Sequence, residues 1–346
     1  MKTTCELIEI DASDVRAVWG DARSSGVGDV VTNYCFCQAL FAFRESGMSD
    51  RLMAVESVAT AGLLEGLDEA LGAALLKYLT IRGVVEPVED GCRLTARGRL
   101  ICAPEPMALI GYYAEAYAPV LSRLTPLLTR KIQYEKDVTR DAWALSRHCE
   151  VLARSFATGV ILRALDEVGA RWTLDLGCGN AAFLIDACKR DPGFRGIGIE
   201  NSPEAIEFAR QRVAEEHLSD RIELVLGDAF HPETWPATYR KADSYMAVGT
   251  LHEHFRQGES AIVDLLNKYA EMMASGVKML LLVEPEIHYN DGDAHFFLVH
   301  ALTKQGLPRR RELWLETIAK SNLRCRRIYH IPDIPFSFAH YDLVRA

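Results

Sequence analysis

The second half of the chain carries the pattern that most constrains its fold. From Trp172 to Pro285, short uninterrupted apolar runs alternate with segments of helical periodicity. The five runs are TLDLGCG, GFRGIGIE, IELVLGDAF, ADSYMAVG and VKMLLLVEP. Unbroken apolar strands separated by helices are typical of a parallel sheet that is covered on both faces. Two later runs, RCRRIYHI and SFAHYDLVRA, predict an antiparallel pair at one end, so we expect an α/β fold with a seven-stranded sheet.

The first half of the chain predicts a separate, mainly helical domain. Helical periodicity is present in NYCFCQALFAFRESG, MAVESVATAGLLEGL and DEALGAALLKYLTIRG, and VVEPVEDGCRLTARGRLI reads as two strands around an Asp-Gly turn. Three helices followed by a hairpin are the order of a winged helix. We therefore expect a winged-helix-like domain over residues 1–106, a helical connector over 107–170 and the α/β domain over 171–346.

Charge and composition argue against several classes of partner. The formal net charge of −9 disfavours non-specific binding to nucleic acid or anionic membranes. The presumed recognition helix has Asp68 and Glu69 against Lys77 and Arg82, without the positive excess of a DNA-binding regulator. No apolar run reaches membrane-spanning length and no signal peptide is visible. The nine cysteines have no zinc-finger spacing, so we expect reduced thiols and a cytoplasmic location.

A glycine-rich turn follows the first strand of the α/β domain. In LDLGCGN, Asp175 precedes Gly177, Cys178 and Gly179. Glycine is needed in such a turn because a Cβ would block close approach of the backbone to a ligand. Taken alone, the spacing also fits a dinucleotide-binding fingerprint or a tight turn without a ligand.

Acidic residues end the next two strands. Glu200, followed by Asn201, ends GIGIE and is suited to accept hydrogen bonds from ribose hydroxyls. Asp228, followed by Ala229, ends LVLGDAF, where a carboxylate can accept from the amino group of an adenine. Because α/β proteins bind ligands beyond the carboxyl ends of their strands, the three motifs together predict one nucleoside-binding site.

As a set, these motifs resemble those of class I S-adenosylmethionine-dependent methyltransferases, over residues 172–346. The resemblance implies a Rossmann-like fold with S-adenosylmethionine as the cofactor. It also implies that the loop Asp175–Gly179 holds the methionine end, that Glu200 and Asn201 hold the ribose, and that Asp228 and Ala229 hold the adenine. An N-terminal winged helix further resembles the caffeic acid-type O-methyltransferases, in which that region forms a homodimer. We therefore expect a small-molecule substrate and a homodimer.

The sequence GTLHEHF, residues 249–255, follows the fourth strand, where the reacting groups of this family are found. Its His252 matches the general base of the O-methyltransferases, and Glu284 matches the acid that orients that base. His254 departs from the family, which has an aromatic residue there. His254 is therefore expected to be structural, although His252 and His254 on extended backbone would also make a ligand pair.

A narrower resemblance is to bacterial 2-oxo acid C-methyltransferases of the phenylpyruvate and 2-ketoarginine type, which make precursors of natural products. It implies that His252, Glu253 and His300 hold a divalent metal, iron or zinc, and that Arg140 pairs with the substrate carboxylate. The reaction implied is methylation of the β-carbon of a 2-oxo acid. The alternative is a metal-independent O-methyltransferase with His252 as base, Glu253 as a helix cap and His300 as a core residue.

Overall fold

The computed structural model describes residues 7–273, 276–332 and 338–346. The chain divides into two compact units, Met1–Ile110 and Gly111–Ala346. The proposed domain boundaries at residues 106 and 170 remain predictions. Within the described residues, no helix is long and apolar enough to cross a membrane.

The first unit combines helices with a small antiparallel sheet. Its strands β1 (Val58–Ala59), β2 (Val85–Val88) and β3 (Gly91–Leu94) lie in the order β1-β3-β2. Its helices are α1 (Ser13–Ser24), α2 (Val27–Glu45), α3 (Met48–Ala54), α4 (Thr60–Leu63), α5 (Glu69–Ile81), α6 (Ala96–Ile101) and the start of α7 (Pro104–Gly111). The helix predicted over MAVESVATAGLLEGL was wrong, because Val58 and Ala59 pair with β3 and interrupt it.

One helical face of this unit is apolar and exposed to solvent. On α1 and α2, Val18, Trp19, Val30 and Tyr34 each expose 66–68% of their surface. The core of the unit lies elsewhere, around fully buried Phe43, Leu52, Leu63 and Leu79.

The second unit contains the predicted seven-stranded sheet, in the order β6-β5-β4-β7-β8-β10-β9. The first five strands in chain order are parallel, and β9 and β10 are antiparallel. All residues of β8 are buried, as its unbroken apolar run predicted. The strands are β4 (Trp172–Leu176), β5 (Arg195–Glu200), β6 (Ile222–Leu226), β7 (Ser244–Val248), β8 (Met279–Pro285), β9 (Leu323–His330) and β10 (Phe338–Arg345).

Helices cover this sheet and the carboxyl ends of its strands. They are α8 (Ala118–Leu121), α9 (Leu124–Leu128), α10 (Ala142–Ala153), α11 (Gly159–Val168), α12 (Ala182–Arg190), α13 (Pro203–Glu215), α14 (Glu259–Met272), α15 (Ala294–Leu302) and α16 (Arg311–Ala319). π-helical turns at Tyr112–Ala116 and Arg154–Thr158 follow α7 and α10. The helical periodicity of GESAIVDLLNKYAEMMAS predicts a helix that reaches residue 275, and the run SFAHYDLVRA begins at Ser337; residues 274–275 and 337 lie outside the described residues.

Candidate active site

A cavity of about 360 Å³ opens at the carboxyl ends of the parallel strands. It is lined by residues that follow β4, β5, β6 and β7, and by α10 on the opposite side. Parallel strands carry their C-terminal loops to the same edge of the sheet, so motifs far apart in sequence meet here. The cavity runs from Asp228 past the glycine loop to Arg140 and Glu253.

The glycine loop after β4 is shaped by close contacts. Gly177 and Gly179 have φ values of 82° and 53°, the left-handed region that favours glycine. A Cβ on Gly177 would lie 2.8 Å from the Thr250 hydroxyl. Cys178, also in the loop, is buried. The backbone is thereby held close to the cavity, as the motif predicts.

Asp175, on β4 beneath the loop, is almost fully buried. Burial, with the nearby Glu200 carboxylate, raises the pKa of Asp175 to about 7. A cation bound in the cavity would favour the ionised form of this group. The side chain therefore lies where a positively charged ligand would stabilise its charge.

Three backbone amides hold the Glu200 carboxylate at the end of β5. Gly179 N donates to Oε2 at 3.0 Å, and the amides of Asn201 and Ser202 donate to Oε1 at 2.9 Å each. The carboxylate lines the cavity in one fixed orientation. It is thus preorganised to accept hydrogen bonds from a diol.

The loop after β6 forms the far end of the cavity. Asp228 Oδ1 accepts from Phe230 N at 2.8 Å, and Ala229 O accepts from the Tyr269 hydroxyl at 2.6 Å. Asp228, Ala229 and Phe230 all line the cavity. An acid beside an aromatic ring suits the edge and the face of a purine.

His252 and Glu284 form a buried dyad. His252 lies in a 3₁₀ turn, Leu251–Gln257, and Glu284 lies near the end of the adjacent strand β8. The Nδ1 atom of His252 lies 2.6 Å from Glu284 Oε2, and Glu284 Oε1 accepts from Leu251 N at 2.7 Å. The Nε2 atom of His252 is buried and has no hydrogen-bond partner among the described residues. With Nδ1 donating to Glu284, Nε2 keeps its lone pair, although His252 itself is not among the residues that line the cavity.

His300, on α15, lies beside this dyad. Its ring centroid is 5.3 Å from that of His252. Burial and the neighbouring His252 lower the pKa of His300 to about 3. The neutral ring donates from Nδ1 to Phe296 O at 2.8 Å, so its lone pair lies on Nε2.

The Glu253 carboxylate is bonded to Arg140 and Gln305. Its Oε1 lies 3.3 Å from Arg140 Nη2 and also accepts from the Gln305 amide. Burial alone would raise the pKa of Glu253, but Arg140, His252 and Gln305 together lower it below its ordinary value. Arg140 also donates to the Tyr117 hydroxyl at 3.4 Å.

The predicted metal-binding set of His252, Glu253 and His300 is therefore only partly brought together. The two imidazoles are neighbours, whereas the carboxylate is paired with a cation. In the part of the chain that the structure describes, no three His, Cys, Asp or Glu side chains form a group able to hold a metal. The backbone of the turn is fixed from outside, since Gly306 N donates to Glu253 O at 3.3 Å and a Cβ on Gly306 would clash with His252 O.

Several residues of the site were not predicted. Glu150 on α10 lines the cavity, bonds the Asn180 amide of the glycine loop and forms a two-point ion pair with Arg212 on α13. Gln305 and Tyr117 hold the Glu253–Arg140 pair. The only signal for Glu150 was an acid within the connector segment over the acceptor site.

Comparisons with known proteins agree with this architecture. Residues 170–280 match the family described as "Methyltransferase domain". A 2-ketoarginine methyltransferase of Streptomyces arginensis is 25% identical over 315 residues, covering 85% of this chain and 87% of that protein. A mitomycin biosynthesis 6-O-methyltransferase of Streptomyces lavendulae is 31% identical over 124 residues, covering 36% and 33%.

A solved structure shares the fold over nearly the whole chain. The mitomycin 7-O-methyltransferase superposes with a TM-score of 0.67 at 20% identity, covering 95% of this chain and 100% of that one. The fold is that of the class I methyltransferases, as predicted.

Proposed function

Since the chain is an S-adenosylmethionine-dependent methyltransferase acting on a small molecule, we propose that it methylates the β-carbon of a 2-oxo acid in natural product biosynthesis. The observation that carries this proposal is the unpartnered, buried Nε2 of His252 beside His300, on a turn whose Glu253 is paired with Arg140. The 2-ketoarginine methyltransferase, similar over most of both chains, supports the same substrate class.

The cofactor is proposed to lie along the glycine loop. Asp175, Gly177, Cys178 and Gly179 would hold its methionine end, with the Asp175 carboxylate near the sulfonium. Glu200 and Asn201 would hold the ribose, and Asp228 and Ala229 the adenine. This order places the transferable methyl group toward Thr250 and Glu253, which line the same cavity.

Arg140 is proposed to bind the substrate carboxylate. Arg140 is the arginine among the described residues that line the cavity, and in this structure its guanidinium is paired with the Glu253 carboxylate. A substrate carboxylate would replace one carboxylate by another, so the buried cation keeps a partner. Arginine suits this role because its planar fork binds carboxylates at two points.

The reaction requires enolisation before methyl transfer. Loss of a proton from the β-carbon leaves an enolate, whose β-carbon attacks the methyl group as the carbon–sulfur bond breaks, and S-adenosylhomocysteine leaves with the electron pair. His252, oriented by Glu284, would accept this proton on Nε2; if Nε2 instead holds a metal ion, the proton would leave to solvent.

The two imidazoles fit a divalent iron or zinc ion. His252 Nε2 lacks a partner and the lone pair of His300 lies on Nε2, so both rings can act as neutral ligands. When bound, such an ion would stabilise the enolate as a Lewis acid. Glu253 would join this set only after leaving Arg140.

The second candidate is O-methylation without a metal. It is favoured by the His252–Glu284 dyad itself, which orients Nε2 as a general base would require. In that case the acceptor hydroxyl loses its proton to His252, and its oxygen attacks the methyl group.

Incubation with labelled cofactor and matched panels of 2-oxo acids and phenols tests the proposal. Mass spectrometry of the products locates the added methyl group. We expect β-methylated 2-oxo acids with retention of the carbonyl. Methylation of phenols alone would replace the proposal by the second candidate.

The apolar face of α1 and α2 supports a homodimer. Val18, Trp19, Val30 and Tyr34 are large apolar residues that are each 66–68% exposed, and we infer that a second copy covers them.

A further inference from the structure

His254, which the family resemblance led us to expect in a structural role, packs against Phe230 at the edge of the proposed cofactor cavity. It is 7% exposed, and its ring lies 4.5 Å from that of Phe230, centroid to centroid, at an interplanar angle of 31°. Phe230 in turn lines the cavity beside Asp228. His254 therefore supports an aromatic wall of the cavity from behind.

The contact with His254 adds to the packing of Phe230, which also lies against the core of the second unit. Phe230 is anchored on its backbone side by the hydrogen bond from its amide to Asp228 Oδ1. Its ring is only partly buried, so the contact with His254 restricts where that ring can lie. An aromatic ring held in place offers a face for stacking at little entropic cost.

The Nδ1 atom of His254 is buried and has no hydrogen-bond partner among the described residues. The ring contact with Phe230 is thus the interaction of this side chain that reaches a residue of the cavity lining.

We propose that His254 is a positioning residue for the cofactor, holding Phe230 against the adenine. It acts on cofactor binding and not on methyl transfer, although it lies two residues from His252. The inference rests on the proposed placement of the adenine beside Asp228.

Calorimetric titration of the full chain with S-adenosylhomocysteine tests it. His254→Ala should weaken binding about two- to tenfold, the range of an aromatic pair. His254→Phe restores the ring contact and should bind within about twofold of the wild type. His217→Asn, which alters an exposed histidine outside the cavity lining, serves as the control and should bind as the wild type does.

Kinetics provide a readout that a general loss of structure would not reproduce. For His254→Ala, the KM for S-adenosylmethionine should rise by the same factor, with kcat at saturating cofactor unchanged. If His254→Ala does not fold, the comparison of His254→Phe with His254→Leu, which has bulk but no aromatic ring, decides the same point.

The outcomes separate two failures. Suppose that Asp228→Ala and Phe230→Ala weaken cofactor binding. Wild-type affinity in His254→Ala, or equal losses of affinity in His254→Phe and His254→Ala, would then overturn the inference about His254. If Asp228→Ala and Phe230→Ala also bind as the wild type does, the proposed adenine placement itself is wrong.

Discussion

The Nδ1 atom of His252 lies 2.6 Å from Oε2 of Glu284, although the two residues come from different elements of the chain. Glu284 is fully buried, and its second oxygen accepts from the backbone of the turn that carries His252. The carboxylate thus fixes both the tautomer and the position of the imidazole.

Glu284→Gln should lower kcat about 10²- to 10⁴-fold. The neutral amide cannot make the charge-assisted hydrogen bond with which the carboxylate holds the His252 ring. Binding of S-adenosylhomocysteine should change by less than about twofold. Steady-state kinetics and calorimetry measure the two effects. Glu286→Gln is the matched control: this neighbouring buried acid pairs with Arg311 instead, so its loss should affect stability more than kcat.

Arg140→Lys should raise the KM for a 2-oxo acid about ten- to a hundredfold, the cost of charged hydrogen bonds that lysine cannot reproduce. The positive charge is retained, so Glu253 keeps a partner. Arg147→Lys, which alters an arginine paired with Glu115 on the same connector, should leave this KM unchanged. Equal KM values for Arg140→Lys and the wild type would remove Arg140 from the acceptor site.

His300→Ala should abolish stoichiometric iron or zinc in the purified enzyme, measured by mass spectrometry of the metal. Activity should fall with it, because one of the two proposed imidazole ligands is lost. His295→Ala, an exposed histidine on the same helix, should retain both metal and activity. A metal-free wild type that stays active in strong chelator would favour His252 as a base.

Asp175→Asn should change how stability depends on pH. The pKa of Asp175 is raised from 3.8 to about 7, so between these values the folded state holds a proton that the unfolded state releases. The contribution of Asp175 to stability is full below pH 3.8 and is lost as the pH rises through about 7. Relative to the wild type, the variant's free energy of unfolding should therefore increase across this window, by up to about 1.4 kcal/mol per pH unit.

His300→Gln is the control for that measurement, because its effect on the pH dependence of the free energy of unfolding has the opposite sign. The pKa of His300 is lowered from 6.5 to about 3, so its contribution is full above pH 6.5 and is lost as the pH falls toward 3. Denaturant unfolding of the cofactor-free proteins at several pH values gives the free energy of unfolding against pH. Relative to the wild type, the slopes of this plot for Asp175→Asn and His300→Gln should have opposite signs. Parallel slopes would contradict the assigned burial of both groups.

Trp19→Asp should yield a monomer in light scattering, since a charge would be buried at the centre of the proposed dimer face. Leu128→Asp, which alters an equally exposed apolar residue of the other unit, should leave the mass unchanged. A monomeric wild type would refute the dimer.

The parallel part of the sheet was predictable because its strands are short, largely apolar runs whose type is set locally. The pairing of His252 with Glu284 was implied by the family resemblance, and the topology accounts for it, because His252 follows β7, Glu284 lies near the end of the adjacent parallel strand β8, and such ends meet. The error at Val58–Ala59 has the opposite cause, since those residues become a strand only by pairing with Gly91 and Cys92. Local periodicity contains no information about such a partner.

Side-chain partners within the site were harder to predict. Glu253 and Arg140 are more than a hundred residues apart, and nothing in the sequence indicates that the carboxylate faces the guanidinium and not the histidines. His254 was set aside because the family has another residue type there. Its stacking on Phe230 depends on how the turn lies against the loop after β6.

The 3₁₀ turn Leu251–Gln257 makes the site sensitive to the insertion or deletion of a residue within the turn. With three residues per turn, successive side chains are rotated by roughly 120°, so His252, Glu253 and His254 face β8, the connector and the loop after β6 respectively. A single-residue insertion or deletion would turn each side chain toward its neighbour's partner and disturb all three contacts at once. A substitution can change one of these three roles and leave the others intact. An inserted or deleted residue in this turn changes all three together.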